Sequence, residues 1–308
     1  PNDGYDTKNI YRNIDWCENT FSDLGFTFEK VNANTNNKDI PNHPLLIGNK
    51  IISKKLKTVL IYFHMDGQPV DPSKWNQESP YIPVLKEKID GNWEEIDIQK
   101  INNSPNREWR IFGRSTSDDK GPPMMLVNAL KTIKKLNLEP KFNIKLIIDF
   151  QEEMSSPTIA SAVKLYKEKL KSDFLLIIDG PQHPSNEPTL TFGARGISKI
   201  TLTAYGPINP QHSGHFGNYA PNPAFTLSKI LSSMKDYSGR VLIPGFYDGI
   251  KIGENTIKIL QAVPDDENQI KKQLGIAFPD NVGNNYQESI QYPSLNIRGL
   301  SSGWVKKE

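Results

Sequence analysis

Three stretches of the chain are apolar at nearly every position, and each stops at residues that can hold a cation or move a proton. In TVLIYFHMDGQPVDPSKW the run Val59 to Phe63 ends at His64, with Asp66 and Gly67 just beyond. NIKLIIDF, Asn143 to Phe150, runs into Gln151, Glu152 and Glu153, and FLLII, Phe174 to Ile178, runs into Asp179 and Gly180. Runs without polar alternation suit strands covered on both faces, as in a parallel sheet. Helical patterns lie around them. NIYRNIDWCENTFSDLGF reads as an amphipathic helix ended by Gly25. PPMMLVNALKTIKKL opens on prolines and places Leu126, Ala129, Leu130, Ile133 and Leu136 on one face. TIASAVKLYKEKL supplies another helix. Strand, helix, strand, helix, strand predicts an α/β sheet.

Ligands bind such sheets outside the carboxyl ends of the strands. His64, Glu152, Glu153 and Asp179 all fall there, so they are expected to converge. GRSTSDDKGPP adds Asp118 and Asp119 in a loop ahead of the proline-started helix. Taken singly, each has an ordinary reading: a strand-end histidine, loop-capping acids, a solvated glutamate pair, a carboxylate favoured by a helix dipole. Together they form a mixed nitrogen and oxygen ligand set. That set suits Zn²⁺, Mn²⁺ or Co²⁺ in a hydrolytic site, including sites where two ions share a bridging carboxylate. Asp149, inside its strand, is expected to make a buried hydrogen bond or ion pair instead.

Composition narrows the alternatives. The 308 residues suggest about two domains. A net charge of +2 gives no basic field for nucleic acid. No apolar run approaches a membrane span, and there is no secretory core segment. Localisation is left open, with a leaning to the cytoplasm. The single cysteine, Cys17, excludes a disulfide framework and a cysteine zinc site, and its helical setting reads as packing.

With these residues in view, the chain resembles the metal-dependent exopeptidases and deacylases that include carnosinase, carboxypeptidase G and bacterial dipeptidases. HMDGQPVDPSKW is similar to that family's His-x-Asp strand end in its dipeptidase form. GRSTSDDKGP resembles the bridging-aspartate motif, FQEEM the glutamate pair, IIDG the next aspartate and QHSGHFG the His-Ser-Gly loop of the lid. IPGFYDGI is a further phrase of the dipeptidase branch. The resemblance implies a zinc-exopeptidase-like metal domain with a mostly parallel sheet flanked by helices, plus an inserted α+β lid and dimerisation domain. The metal domain would run over residues 1–190 and the lid over 191–308, opening on a strand in GISKITLTAYGP and returning in SLNIRGL.

Position by position, the resemblance implies that His64 and Asp179 hold one ion, Asp118 bridges, and Glu153 holds the second. Asp66 would orient His64, Glu152 would be the general base, and His212 would donate to the oxyanion in the site of a partner subunit. Two divalent ions, most simply zinc, a small peptide substrate and a homodimer follow from it, with no nucleic acid or membrane partner. His43, His183 and His215 receive no direct role. Ser115 and Asn218 stand where the family often has glycine, and Gln151 where many relatives carry a third acid. The family also supplies a metal-binding histidine near its C-terminus, and no histidine follows His215. The chain is therefore expected to be an incomplete one, nearly inactive alone, or a natural short form that assembles with something else. Two other readings stay open: a deacylase of N-acyl amino acids with the same metals, and a binding module that kept the fold without activity. A nucleotide site is disfavoured because GRSTSDDKG lacks P-loop spacing.

Overall fold

The computed structural model describes residues 4–32 and 39–303. The chain divides into two compact units, Pro1–Pro181 and Gln182–Glu308. In the first unit the elements run α1 (Thr7–Ser22), β1 (Thr27–Val31), β2 (Leu45–Lys50), β3 (Thr58–His64), β4 (Val84–Ile89), β5 (Asn92–Ile96), α2 (Lys100–Asn103), β6 (Arg110–Phe112), α3 (Gly121–Lys135), β7 (Asn143–Asp149), α4 (Ile159–Leu165), α5 (Lys167–Leu170) and β8 (Phe174–Ile177).

The main sheet has the order β1-β2-β7-β3-β8. The three apolar runs form its parallel part: β3 lies between β7 and β8 and is parallel to both. Their register sets His64 opposite Asp149 and Tyr62 opposite Ile177, so the three carboxyl ends finish at one edge. The sheet is mixed rather than mostly parallel. β2 pairs antiparallel with β7, and β1 antiparallel with β2.

Both faces of the central strands are covered, which accounts for their unbroken apolarity. Ile61 and Phe63 of β3, with Ile144, Leu146 and Ile148 of β7, pack against Ile10, Ile14, Cys17 and Phe21 of α1 and against Val127 and Leu130 of α3. Leu60 and Ile147 face the other way, with Ala162 of α4 and Leu170 of α5. Each large side chain buried this fully contributes roughly 1.5–3 kcal/mol. α1 starts at Asp6, whose carboxylate accepts the Asn9 N–H, and the chain leaves it through Gly25 at φ 87°. Only glycine takes that turn at no steric cost. Burial pushes the Cys17 thiol far up, so it behaves as a core side chain. The buried face of α3 is Pro123, Val127 and Leu130, with Leu126 packed at its side, so the expected stripe holds at Leu126 and Leu130 but not at Ala129 or Leu136. Leu136 is exposed because the helix has already ended at Lys135.

A second, three-stranded sheet, β5-β4-β6, is antiparallel throughout. Asp90 and Gly91, at φ 49° and 88°, turn its hairpin, the Asp-Gly pair that a tight right-twisted hairpin selects. β6 then delivers the chain directly into the Arg114–Lys120 loop.

The second unit contributes α6 (Ser213–Phe216), α7 (Pro223–Ser233), α8 (Glu254–Gln261), α9 (Glu267–Leu274) and α10 (Tyr286–Ser289). The expected strands in 196–207 and 294–300 form no ladder among the described residues; the one pairing in this unit is a bridge from Lys235 to Val241. Residues 198–202 and 294–301 instead line one cavity of about 1140 Å³ beside Leu227 and Leu231 of α7. An alternating pattern becomes a strand only where a neighbour supplies the other half of its hydrogen bonds.

Candidate active site

β3 ends at His64, and the Met65 N–H still donates to the Asp149 carbonyl at 2.9 Å, so the next residues leave the sheet in register with β7. His64 is fully buried. Its ring lies between two groups of acids. Nδ1 is 3.2 Å from Asp66 Oδ1. Nε2 is 2.9 Å from Asp118 Oδ1, 3.8 Å from Asp179 Oδ2 and 3.9 Å from Glu152 Oε2. Ligand atoms of His64, Asp118 and Asp179 all lie within 4.8 Å of one another, a group that could hold a metal ion.

Asp66 is also fully buried and does more than orient an imidazole. After β7 the chain makes a 3-10 turn, Glu152–Met154, closed by Ser155 and Ser156 at φ 68° and 45°. The backbone N–H groups of Glu152 and Glu153 both donate to Asp66, to Oδ1 and Oδ2, each at 3.1 Å. One carboxylate thus fixes the histidine and the glutamate turn together. Asp149 supports the same turn from below: it accepts from the Gln151 N–H at 2.9 Å and from the Ser156 hydroxyl at 2.6 Å. That is the buried hydrogen bonding expected of it.

The aspartate pair splits by direction. Asp118 faces the cluster and is exposed, whereas Asp119 is buried and accepts the His64 backbone N–H on Oδ2 at 3.1 Å. Asp119 Oδ1 has no hydrogen-bond partner among the described residues. Burial pushes Asp119 up to about 8, only partly opposed by the His64 N–H and the His64 charge. Burial, with Asp179, Glu153 and Asp66 nearby, also raises Glu152 above the ordinary carboxylate range, against the pull of His64. His64 itself is pulled down by burial but pushed further up by Asp66, Asp119 and Glu152, to about 9. These opposed shifts describe a site crowded with acids around one imidazole.

Glu153 is placed differently from the other expected ligands. It lies outside the His64, Asp118 and Asp179 group, and its Oε2 accepts from Gln68 Nε2 at 2.7 Å. Two departures from the resembled motifs fall on unusual backbone: Ser115 has φ 64° and Asn218 φ 63°. Both positions take up the left-handed region that glycine enters freely. Gly67 is packed against the Ser115 hydroxyl, which a Cβ there would displace.

His212 caps α6. Its Nδ1 accepts the Gly214 N–H at 3.0 Å, leaving Nε2 as the free ring nitrogen. His215 lies beside it, ring centroids 5.0 Å apart. His183 bonds Asp265 at 3.0 Å through Nε2, and His43 is buried with Nε2 on the Gly4 carbonyl at 3.1 Å. Gln151 is buried; its amide nitrogen donates to the Pro41 carbonyl and its amide oxygen accepts the His43 N–H.

The family model described as peptidase family M20/M25/M40 matches residues 60–259, about two thirds of the chain and every residue of the cluster. The chain belongs to this family. Among M20 relatives, it is 26% identical over 299 residues to the Cys-Gly metallodipeptidase dug1 of Schizosaccharomyces pombe, covering 94% of this chain and 58% of that one. It is 26% identical over 272 residues to the human Beta-Ala-His dipeptidase, covering 87% of this chain and 50% of the relative. The chain thus spans little more than half the length of these M20 relatives. Among solved structures, an M20 family metallo-carboxypeptidase, Sso-CP2 from Sulfolobus solfataricus, matches with a TM-score of 0.67 and 26% identity, over 100% of this chain and 64% of that one. The structure of human carnosine dipeptidase 1 matches with a TM-score of 0.61 at 23% identity, over 98% and 61% of the two chains, which is a likeness of fold.

Proposed function

We propose that the protein to which this M20 chain belongs hydrolyses dipeptides or short peptides with two divalent ions, most simply zinc. The observation that carries this reading is the convergence on His64 Nε2 of Asp118, Asp179 and Glu152 oxygens, at 2.9, 3.8 and 3.9 Å. The donor set fits a divalent ion on its own chemistry: one imidazole nitrogen, once its proton is displaced, faces three carboxylates, and among the described residues no lysine or arginine is paired with any of them. In this reading His64 and Asp179 hold one ion, Asp118 is shared, and Glu153 serves the second. When bound, the ions supply Lewis acidity to a water and to the scissile carbonyl.

The remaining roles belong to the chain's own side chains. Asp66 holds the His64 ring through Nδ1 and so keeps Nε2 turned to the cluster. Glu152 receives the proton lost by the attacking water and returns it to the leaving amine. Its raised proton affinity suits that task, because a base works best with a pKa near the working pH. The Gly214 N–H on His212 Nδ1 favours the tautomer with hydrogen on Nε2, the form needed to donate to an oxyanion. Placement of His212 in the site of a partner subunit, through a lid dimer, is part of the same proposal. The dipeptidase names of the two relatives support the peptide over the N-acyl amino acid as substrate.

The test is hydrolysis of a panel of dipeptides and N-acetyl amino acids with added Zn²⁺ or Mn²⁺. Cleavage of dipeptides that is abolished by His64→Ala and by chelation is expected. Preference for the N-acetyl series would replace the peptidase reading by the deacylase one.

A further inference from the structure

We propose that Gln68 is a positioning residue for Glu153, the counterpart of Asp66 for His64; this rests on the reading of Glu153 as a metal ligand. From the end of β3, every second residue serves the same site. His64 points Nε2 at the acid cluster, Asp66 takes the His64 ring and the Glu152 and Glu153 N–H groups, and Gln68 takes the Glu153 side chain. β3 ends at His64, and beyond it hydrogen bonds rather than strand alternation hold Asp66 and Gln68 to the site. The series runs from the fully buried His64 and Asp66 out to the exposed Gln68 at the lip.

The contact itself is specific. Gln68 Nε2 lies 2.7 Å from Glu153 Oε2 and 3.4 Å from the Glu153 carbonyl oxygen. A carboxylate and a carbonyl only accept, so both require the amide nitrogen of Gln68 to face inward. Among the described residues, no other hydrogen bond or ion pair holds the Glu153 carboxylate, and Oε1 has none. The backbone of Glu153 is fixed by Asp66, but its side chain has three rotatable bonds beyond that anchor. Gln68 removes that freedom while leaving one oxygen open to a cation. Ligating carboxylates are commonly held by such an outer hydrogen bond, and its loss typically costs about 10–100-fold in metal affinity.

The experiment is a competitive Zn²⁺ titration of wild type, Gln68→Ala and Gln68→Met, read as stoichiometry and affinity without any turnover. The exposed position makes both variants safe for folding, and a thermal melt of each confirms it. Gln68→Met keeps the length of the side chain and lacks the donor, so it separates the hydrogen bond from packing. We expect one of two ions to weaken about 10–100-fold in both variants, with the other unchanged. Equal isotherms for wild type and variants would overturn the proposal. So would tighter binding in Gln68→Ala, which would make the contact a restraint that holds Glu153 off the metal. A wild-type protein that takes up no ion would overturn the two-metal reading and this inference with it.

Discussion

Asp66→Asn isolates the role of the buried carboxylate at almost constant volume. Three N–H donors converge on Asp66: His64 Nδ1 and the Glu152 N–H on Oδ1, and the Glu153 N–H on Oδ2. A carboxamide has one accepting oxygen. If that oxygen replaces Oδ1, the amide NH₂ faces the Glu153 N–H, and a buried donor is left unpaired at about 1–3 kcal/mol. The two surviving bonds lose the charge of the carboxylate and about 1 kcal/mol each. The sum is about 3–5 kcal/mol. For a unit of this size, at about 2–4 °C per kcal/mol, that lowers Tm by roughly 6–20 °C. Circular dichroism melts in excess chelator measure it without interference from bound metal. Zn²⁺ affinity should also fall, by about 10–100-fold, because the imidazole loses its orienting partner. A metal-free Asp66→Asn variant melting within about 2 °C of wild type would refute the reasoning, since the glutamate turn would then not depend on Asp66.

The other predictions concern chemistry. Glu152→Gln should keep fold and metal content and lose about 10²–10⁴-fold in kcat, because an amide cannot take the proton; loss of metal instead would exchange the roles of Glu152 and Glu153. His212→Ala should lower kcat by about 10²–10³-fold with little change in metal content. Mixing it with Glu152→Gln chains should restore activity in heterodimers; no recovery after verified exchange would count against a shared site. His64, raised from 6.5 to about 9, carries a proton at neutral pH in the metal-free protein. A raised histidine contributes stability that is full below the unfolded value and lost as pH rises through the folded one, so here it fades from pH 6.5 to 9. Ion uptake at pH 7 must displace that proton, and calorimetry in buffers of different ionisation enthalpy should show release that declines as pH approaches 9; no release at pH 7 would mean that His64 is neutral there.

The parts of this structure legible in the sequence are those fixed by local pattern. The runs at 59–63, 143–150 and 174–178 all became parallel strands, the first two covered on both faces and the third, β8, exposed at the end of the sheet, and the direction of the chain put their polar residues at one sheet edge. Parts fixed by distant partners were not legible. Nothing in Gln68 announces Glu153, 85 residues away. Nothing in Asp66 announces that it accepts backbone N–H groups across the sheet as well as a ring nitrogen. β1 and β2 were missed because β2 owes its place to a long-range antiparallel pairing with β7, and β1 joins the sheet only through β2. The β4–β5 hairpin did carry a signal, Asp90-Gly91 between two short runs, but charges on both faces of VLKEKI and NWEEI hid the alternation. On α3 the helix was plain and its face was shifted: Val127 is buried and Ala129 exposed, because the buried line runs through Pro123, Val127 and Leu130, with Leu126 at its side. In the second unit the alternation of GISKITLTAYGP is real, yet no described neighbour completes its hydrogen bonding.

The central claim is that one shared carboxylate ties two ions to the carboxyl ends of β3, β7 and β8. Metal content of dialysed protein, measured by plasma mass spectrometry for wild type, His64→Ala, Asp179→Ala and Asp118→Ala, tests it most directly. The account predicts two divalent ions per subunit in the complete wild-type protein, one site weakened in His64→Ala and Asp179→Ala, and both weakened in Asp118→Ala. Full metal content in Asp118→Ala would contradict it.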